Sequence, residues 1–306
     1  MTMRSNRTKN LIAILIWLFI GSIGAYFFYS AAQNGGINFD PVYTGEPTNI
    51  LSDVTLDQDI DSVTIEWIAG GVKIIPTIDS KVRIVEKSYQ IIDKDKEVKV
   101  TVNGSSLNLK TRNKSTFYFF GFANTGTFLE VYLPITTSFK LIKLNSVSGD
   151  YSIEEVYSDL TQISLVSGDL NLRNISSSVL SLSLTSGDVT ISDSEFLSSS
   201  IEMTSGELDF SAQSSSFSAN MTSGDAIINL LNELPTTLNI DVTSGDVELT
   251  LHGSNPFSFK VEQLSGDFNT HFSTIKNGHV YSYLTGGPTY TIDMTSGNVD
   301  VNLITN

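Results

Sequence analysis

Residues 163–191 read ISLVSGDLNLRNISSSVLSLSLTSGDVTI. Apolar side chains alternate up to a Ser-Gly-Asp phrase, lose one step across it, and resume. Nineteen residues later the same phrase returns with the same flanks. Period-two alternation marks half-buried strands. Glycine permits the positive φ that a sharp corner needs, and Ser and Asp bond to local backbone. The stretch therefore reads as strand, corner, strand, repeated.

Working outward, the phrase occurs along the whole second half. The corners are Ser148-Gly149-Asp150, Ser167-Gly168-Asp169, Ser186-Gly187-Asp188, Ser205-Gly206-Glu207, Ser223-Gly224-Asp225, Ser244-Gly245-Asp246, Ser265-Gly266-Asp267 and Ser296-Gly297 followed by Asn298. Glycines 149 to 266 lie 18 to 21 residues apart, and such a period is the mark of a repeat architecture. Apolar residues recur at −5, −3, +2 and +4 from the corner glycines, as in Ile163, Leu165, Leu170 and Leu172 around Gly168. The rung at Gly266 departs, with Gln263 at −3.

Two all-β architectures fit. In a β-solenoid of about 19–21-residue repeats each repeat is one coil, and like corners stack in parallel about 4.8 Å apart. In an antiparallel meander each Ser-Gly is a hairpin tip, pairing for example Leu165 with Leu170. The near-identical phrase favours the solenoid, because stacked corners share the same neighbours above and below. Eight rungs would make a stack roughly 40 Å long. Serine clusters 176–178, 198–200 and 214–216 fall between phrases and are expected at the opposite corners. The longer interval from Gly266 to Gly297 is expected to form an irregular, capping end.

Residues 50–137 form a strand-rich part ahead of the repeats at 138–306. Its runs VTIEWI (63–68), VRIVEK (82–87) and VKVTV (98–102) alternate, and Gly70-Gly71 and Asn103-Gly104 punctuate them. Ahead of it, residues 11–29 read LIAILIWLFIGSIGAYFFY without a charge. At about 1.5 Å per helical residue this nearly spans a bilayer core roughly 30 Å thick. Arg4, Arg7 and Lys9 precede it, so the positive-inside rule keeps the tail 1–10 cytoplasmic and exports the remainder of the chain. The expectation is a single-pass protein of the cell membrane: a transmembrane helix over 11–30, a linker over 31–49 and an extracytoplasmic C-terminal part. A cleaved signal peptide is the competing reading, because Ser30 and Ala32 offer a small-x-small site.

The net charge is −15, unevenly spread. Residues 33–147 carry 12 basic and 13 acidic side chains; residues 148–306 carry 3 and 20. So acidic a repeat half repels nucleic acid and anionic headgroups. Cysteine is absent, which removes disulfide and thiolate chemistry.

FLEVYLP at 128–134, the entry from it into VSGD, and the serial TSGD units resemble the bacterial putative-adhesin family DUF4097. The resemblance covers most of residues 50–306. It implies a β-rich, repeat-built, membrane-anchored or exported protein. Some relatives look like envelope-stress-operon proteins of Gram-positive bacteria. It supplies no catalytic residues.

Two candidate sites stand out. In a solenoid the corner acids form a ladder, and like charges roughly 5 Å apart repel by about 1 kcal/mol even in water. Ca²⁺ would relieve that; otherwise each acid satisfies its own turn and faces solvent. The repeat lacks the Gly/Asp-dense nonapeptide of calcium rolls, so no cofactor is expected. The second candidate is the loop of Phe117, Tyr118, Phe119, Phe120 and Phe122, preceded by Lys110, Arg112 and Lys114. It could cap an open core end, dip into a membrane interface or bind a partner. His252, His271 and His279 show no metal spacing, and no nucleophile elbow or phosphate loop appears. The expectation is a non-enzymatic envelope scaffold with a protein partner. The alternative is a polysaccharide binder or carbohydrate-active protein on the solenoid flank, with cell-wall glycan as ligand.

Overall fold

The computed structural model of the protein describes residues 47–89, 97–111 and 127–305. The apolar run 11–29 and the aromatic loop 117–122 lie outside them. Among the described residues every regular element is a strand, and no helix is long and apolar enough to cross a membrane.

The strands are β1 (Asn49–Thr55), β2 (Ser62–Ala69), β3 (Val72–Thr77), β4 (Arg83–Ser88), β5 (Lys99–Asn103), β6 (Ser106–Lys110) and β7 (Phe128–Pro134). Then come β8 (Ser138–Ser148), β9 (Tyr151–Ser167), β10 (Leu170–Ser186), β11 (Val189–Ser205), β12 (Leu208–Ser223), β13 (Ala226–Leu230), β14 (Thr237–Ser244) and β15 (Val247–His252). The last are β16 (Phe257–Ser265), β17 (Phe268–Thr270), β18 (Ile275–Asn277), β19 (Val280–Tyr283), β20 (Thr289–Ser296) and β21 (Val299–Ile304).

Successive repeats pair in parallel and in register. Leu165 lies beside Leu184 on one side and Ser146 on the other, rather than across a hairpin from Leu170. One core column runs Ile65, Leu144, Ile163, Leu182, Ile201, Ala219, Ile240, Ile292, Val261, each at −5 from its glycine. All nine are buried. Burying a Leu or Ile side chain contributes about 1.5–3 kcal/mol, and stacking puts one on the next at each level. Where Phe210 and Phe217 enter, with ring centroids 4.7 Å apart, Ala212 and Ala219 leave the room. Ser146 breaks the apolar series at −3 without a polar orphan. It donates to the Trp67 carbonyl at 2.8 Å and accepts from the Tyr151 hydroxyl at 2.7 Å.

Within each long strand the alternation slips twice more. In β10 exposed residues adjoin at Arg173-Asn174, and the phase changes again near Ser178-Val179. With the glycine corner this gives each coil three faces. The first slip holds a left-handed residue in three successive rungs, Glu155, Asn174 and Asp193 (φ 50, 56 and 52°). Near the second slip the serine clusters place hydroxyls inside: Ser158 donates to Ser177, and Ser214 donates to Ser199. Small hydroxylated side chains satisfy the bent backbone there without bulk.

The order of rungs in space departs from the order in sequence. The rung of Gly297 lies between those of Gly245 and Gly266: β20 pairs with β14 on one side and β16 on the other, and β21 with β15 and β17. The long interval explains this. Its β18–β19 hairpin runs back antiparallel along the outer edge of β16, and the chain then returns on the inner side as β20. The far end is closed by rings from β16 and this interval. Phe257 packs against Phe259, Phe272, Tyr283 and Tyr290, and Phe268 against Tyr281.

At the near end, β2 and β3 form a rung of the same stack, set against β8 and β9. Below β2 lie β6 and then β5. Below β3 lie β7, β4 and finally β1.

Candidate functional surface

The Ser-Gly corners converge into one row. Each Ser-Gly glycine adopts a positive φ, from 109 to 147°, and Gly70 at the end of the row one of 99°. A Cβ built on any of the Ser-Gly glycines would fall 1.7 to 2.2 Å from the carbonyl oxygen of the neighbouring glycine. The row runs Gly70, 149, 168, 187, 206, 224, 245, 297, 266. Two demands meet at each step, a left-handed backbone and an approach too close for any side chain, so glycine recurs where a turn alone would tolerate Asn.

Backbone bonds continue through the corners. Gly168 N–H donates to the Ser186 carbonyl at 3.1 Å, and Leu170 N–H to the Asp188 carbonyl at 2.9 Å. The residue after the corner glycine then works between rungs. Asp169 Oδ1 accepts the Asp188 amide at 3.0 Å, Asp188 Oδ1 the Glu207 amide at 2.9 Å, and Asp225 Oδ1 the Asp246 amide at 2.9 Å. Asp246 Oδ1 accepts from Asn298 at 2.8 Å, and Asn298 Oδ1 from Asp267 at 3.2 Å. Asp169, Asp188, Asp225 and Asp246 thus satisfy the next rung's amide rather than their own turn. An amide oxygen does this as well as a carboxylate, which is why Asn298 fits. Among the described residues no three His, Asp or Glu side chains converge on a position that could hold a metal ion.

Beside the corners the outward residue just before each Ser-Gly pair, or before Ala69-Gly70, forms a column. In spatial order it reads Ile68, Val147, Val166, Thr185, Thr204, Thr222, Thr243 and Thr295. The five threonines are exposed. Gln263 departs from the apolar pattern because its rung is the last: its side-chain amide donates to the Gly297 carbonyl at 3.2 Å, closing the row with a polar group. Next to it, parallel pairing sets Asp293 between Asp241 and Glu262. Burial of Asp293, with those two charges beside it, raises its carboxyl above the ordinary range.

Elsewhere the chemistry is sparse. A hollow of about 300 Å³ on β2, β5 and β6 is lined by Thr64, Glu66, Lys99, Thr101, Asn108 and Lys110. Another of about 290 Å³ lies at Asn232–Leu234 and Gly253–Asn255. His252 bonds Asn229 at 2.9 Å, and His271 lies 3.4 Å from Asp300. Glu86 is fully buried, with Oε2 accepting the Val98 amide at 2.5 Å and Oε1 unpartnered. Burial raises its carboxyl, against the Thr127 hydroxyl and Val98 amide, which favour the charge. Burial likewise pushes the Tyr151 phenol up to about 12.

The Toastrack DUF4097 family model matches residues 59–302, from the approach to β2 through most of β21. The chain belongs to this family. No curated protein matches the chain significantly. Among solved structures similar to this Toastrack chain is a putative adhesin from Bacteroides fragilis NCTC 9343. It is 13% identical, covers 83% of this chain and 97% of its own, and has a TM-score of 0.44. A putative adhesin from Parabacteroides distasonis ATCC 8503 is 11% identical over 83% and 96%, with a TM-score of 0.46. A putative lipid binding protein from the same organism is 13% identical over 84% and 97%, also at 0.46.

Sequence reading missed two features of this Toastrack domain. The first is the Gly70 rung, which lacks the Ser-Gly-Asp phrase; its signal was Trp67 at −3, Val72 at +2 and Ile74 at +4 around a glycine. The second is the aromatic make-up of the capping end expected of the long interval, whose signal was the density of rings between Phe257 and Tyr290.

Proposed function

We propose that this chain is a β-solenoid binding scaffold of the cell envelope. On this reading it is non-enzymatic, held in the cell membrane by residues 11–30, with the Toastrack part outside and a protein partner lying along the stack. The observation that carries the reading is the exposed threonine column of Thr185, Thr204, Thr222, Thr243 and Thr295. An in-register stack repeats the same hydroxyl about every 4.8 Å. A partner extended along it meets the same group at each step, so weak contacts add without any deep pocket. The two hollows, each near 300 Å³, lie at the lower end of the range for ligand pockets. The acidic repeat half disfavours nucleic acid as that partner.

The test is photo-crosslinking in living cells, with the reactive amino acid placed at Thr204 or Thr222 of the full chain. The expected result is one envelope protein attached from both positions, and not from Asn277 on β18. Recovery of wall polymer alone, or of nothing from either position, overturns the reading.

A further inference from the structure

From the described ends of the chain and its charge gradient we infer that the β1/β5 end of the stack lies against an anionic lipid surface, with the acidic repeats standing away from it. This rests on the membrane-anchored reading above. Every opening of the described chain other than its C-terminus lies at this end. The chain enters through Pro47 into β1, the outermost strand below β3. Segment 90–96 leaves after Tyr89 and returns before Val98, whose amide bonds Glu86 on β4. Segment 112–126 leaves after Thr111, which bonds the Glu66 carbonyl of β2 at 3.0 Å, and returns at Thr127, whose carbonyl accepts from Trp67. These ends are neighbours: Asn49 Nδ2 donates to the Tyr89 carbonyl at 3.0 Å, and the Tyr89 and Phe128 rings meet edge to face at 5.4 Å.

Charge selects the same end independently. The repeats at 148–306 hold 3 basic and 20 acidic side chains, whereas 33–147 hold 12 and 13. An anionic bilayer repels the first and is nearly indifferent to the second. Apolar exposure adds a weaker hint. The outward column turns from threonine to Val166, Val147 and Ile68 towards this end, and Ile50 on β1 is 60% exposed. Ile275 at the far end is exposed too, so apolar surface alone would not choose; charge does.

The chain contains no cysteine, so single reporters are clean. Asn103→Cys labels the end of β5 and Asn277→Cys labels β18; both positions are exposed. Twelve strand-to-strand steps separate β5 from β18. At about 4.8 Å each that is roughly 58 Å. The full chain is reconstituted in phosphatidylglycerol/phosphatidylcholine vesicles carrying a headgroup-attached acceptor dye. Energy transfer is read from each labelled variant, and flotation is read alongside. Several-fold stronger transfer from Asn103→Cys than from Asn277→Cys is expected, widening as phosphatidylglycerol rises. Equal or reversed transfer in floating protein overturns the orientation and leaves the anchor standing. Protein that does not float with the vesicles overturns both.

Discussion

At Gly187 a backbone with φ of 134° passes so close to the rung below that a Cβ would lie 2.2 Å from the Gly168 oxygen. Gly187→Ala therefore meets a penalty of about 1–3 kcal/mol for the backbone conformation and must also push two stacked rungs apart. A total loss of about 3 kcal/mol or more is expected from denaturant unfolding; a loss below about 1 kcal/mol would mean that the row tolerates a side chain. The neighbouring Asp188 differs in kind. Its Oδ1 accepts one amide at 2.9 Å in an exposed setting, so Asp188→Ala is expected to cost about 1 kcal/mol. Asp188→Asn should keep most of that, as Asn298 does naturally. If the Asn and Ala variants melt alike, the bond between rungs is not what the residue contributes.

Among elements, β14, β20 and β16 bring three carboxylates side by side on one outward face. Asp293 in the middle has its carboxyl raised by burial first, then by Glu262 and Asp241, with Lys260 opposing. A carboxyl whose folded value is raised favours the fold when protonated. Its contribution is present at low pH and is lost as pH rises through the folded value. Asp293→Asn should therefore stabilise the protein at neutral pH and flatten the acid side of its stability profile. Melting temperatures across a pH series check this; a variant less stable than the parent at pH 7 would contradict it. The amide introduced there has the means to donate to Asp241 or Glu262, replacing repulsion with a hydrogen bond.

For the whole molecule, the interleaved C-terminus makes the far rungs one cooperative unit. Removing everything after Pro288 deletes β20 and β21, unpairing β14 and β15 on one side and β16 and β17 on the other. In a simple array, loss of a terminal repeat costs one interface; here it costs two and exposes a core edge. The truncated chain is expected to lose protection over residues 237–283 in hydrogen exchange while β9–β11 stay protected. Uniform protection up to β17 would show that the last rung is dispensable.

The alternation around each Ser-Gly phrase, read alone, determined that the chain is built of strands bent at regular glycine corners. It also marked the core positions, Ile163, Leu165, Leu170 and Leu172 and their counterparts, because a buried column needs an apolar residue at the same offset in every repeat. FLEVYLP at 128–134 and the serial TSGD units carried the resemblance to DUF4097, the family whose model matches residues 59–302. What only the tertiary structure decided was neighbourhood. Parallel pairing of Leu165 with Leu184 rather than with Leu170 depends on which backbone edges meet, and both options bury the same side chains. The placement of the Gly297 rung inside the Gly266 rung comes from how the β18–β19 hairpin folds back. Local pattern carries no trace of that, because each rung presents the same two edges to any other. The roles of Gln263, Ser146 and the corner acids were equally hidden. Each answers a carbonyl or amide that another rung brings within reach only after the stack has formed.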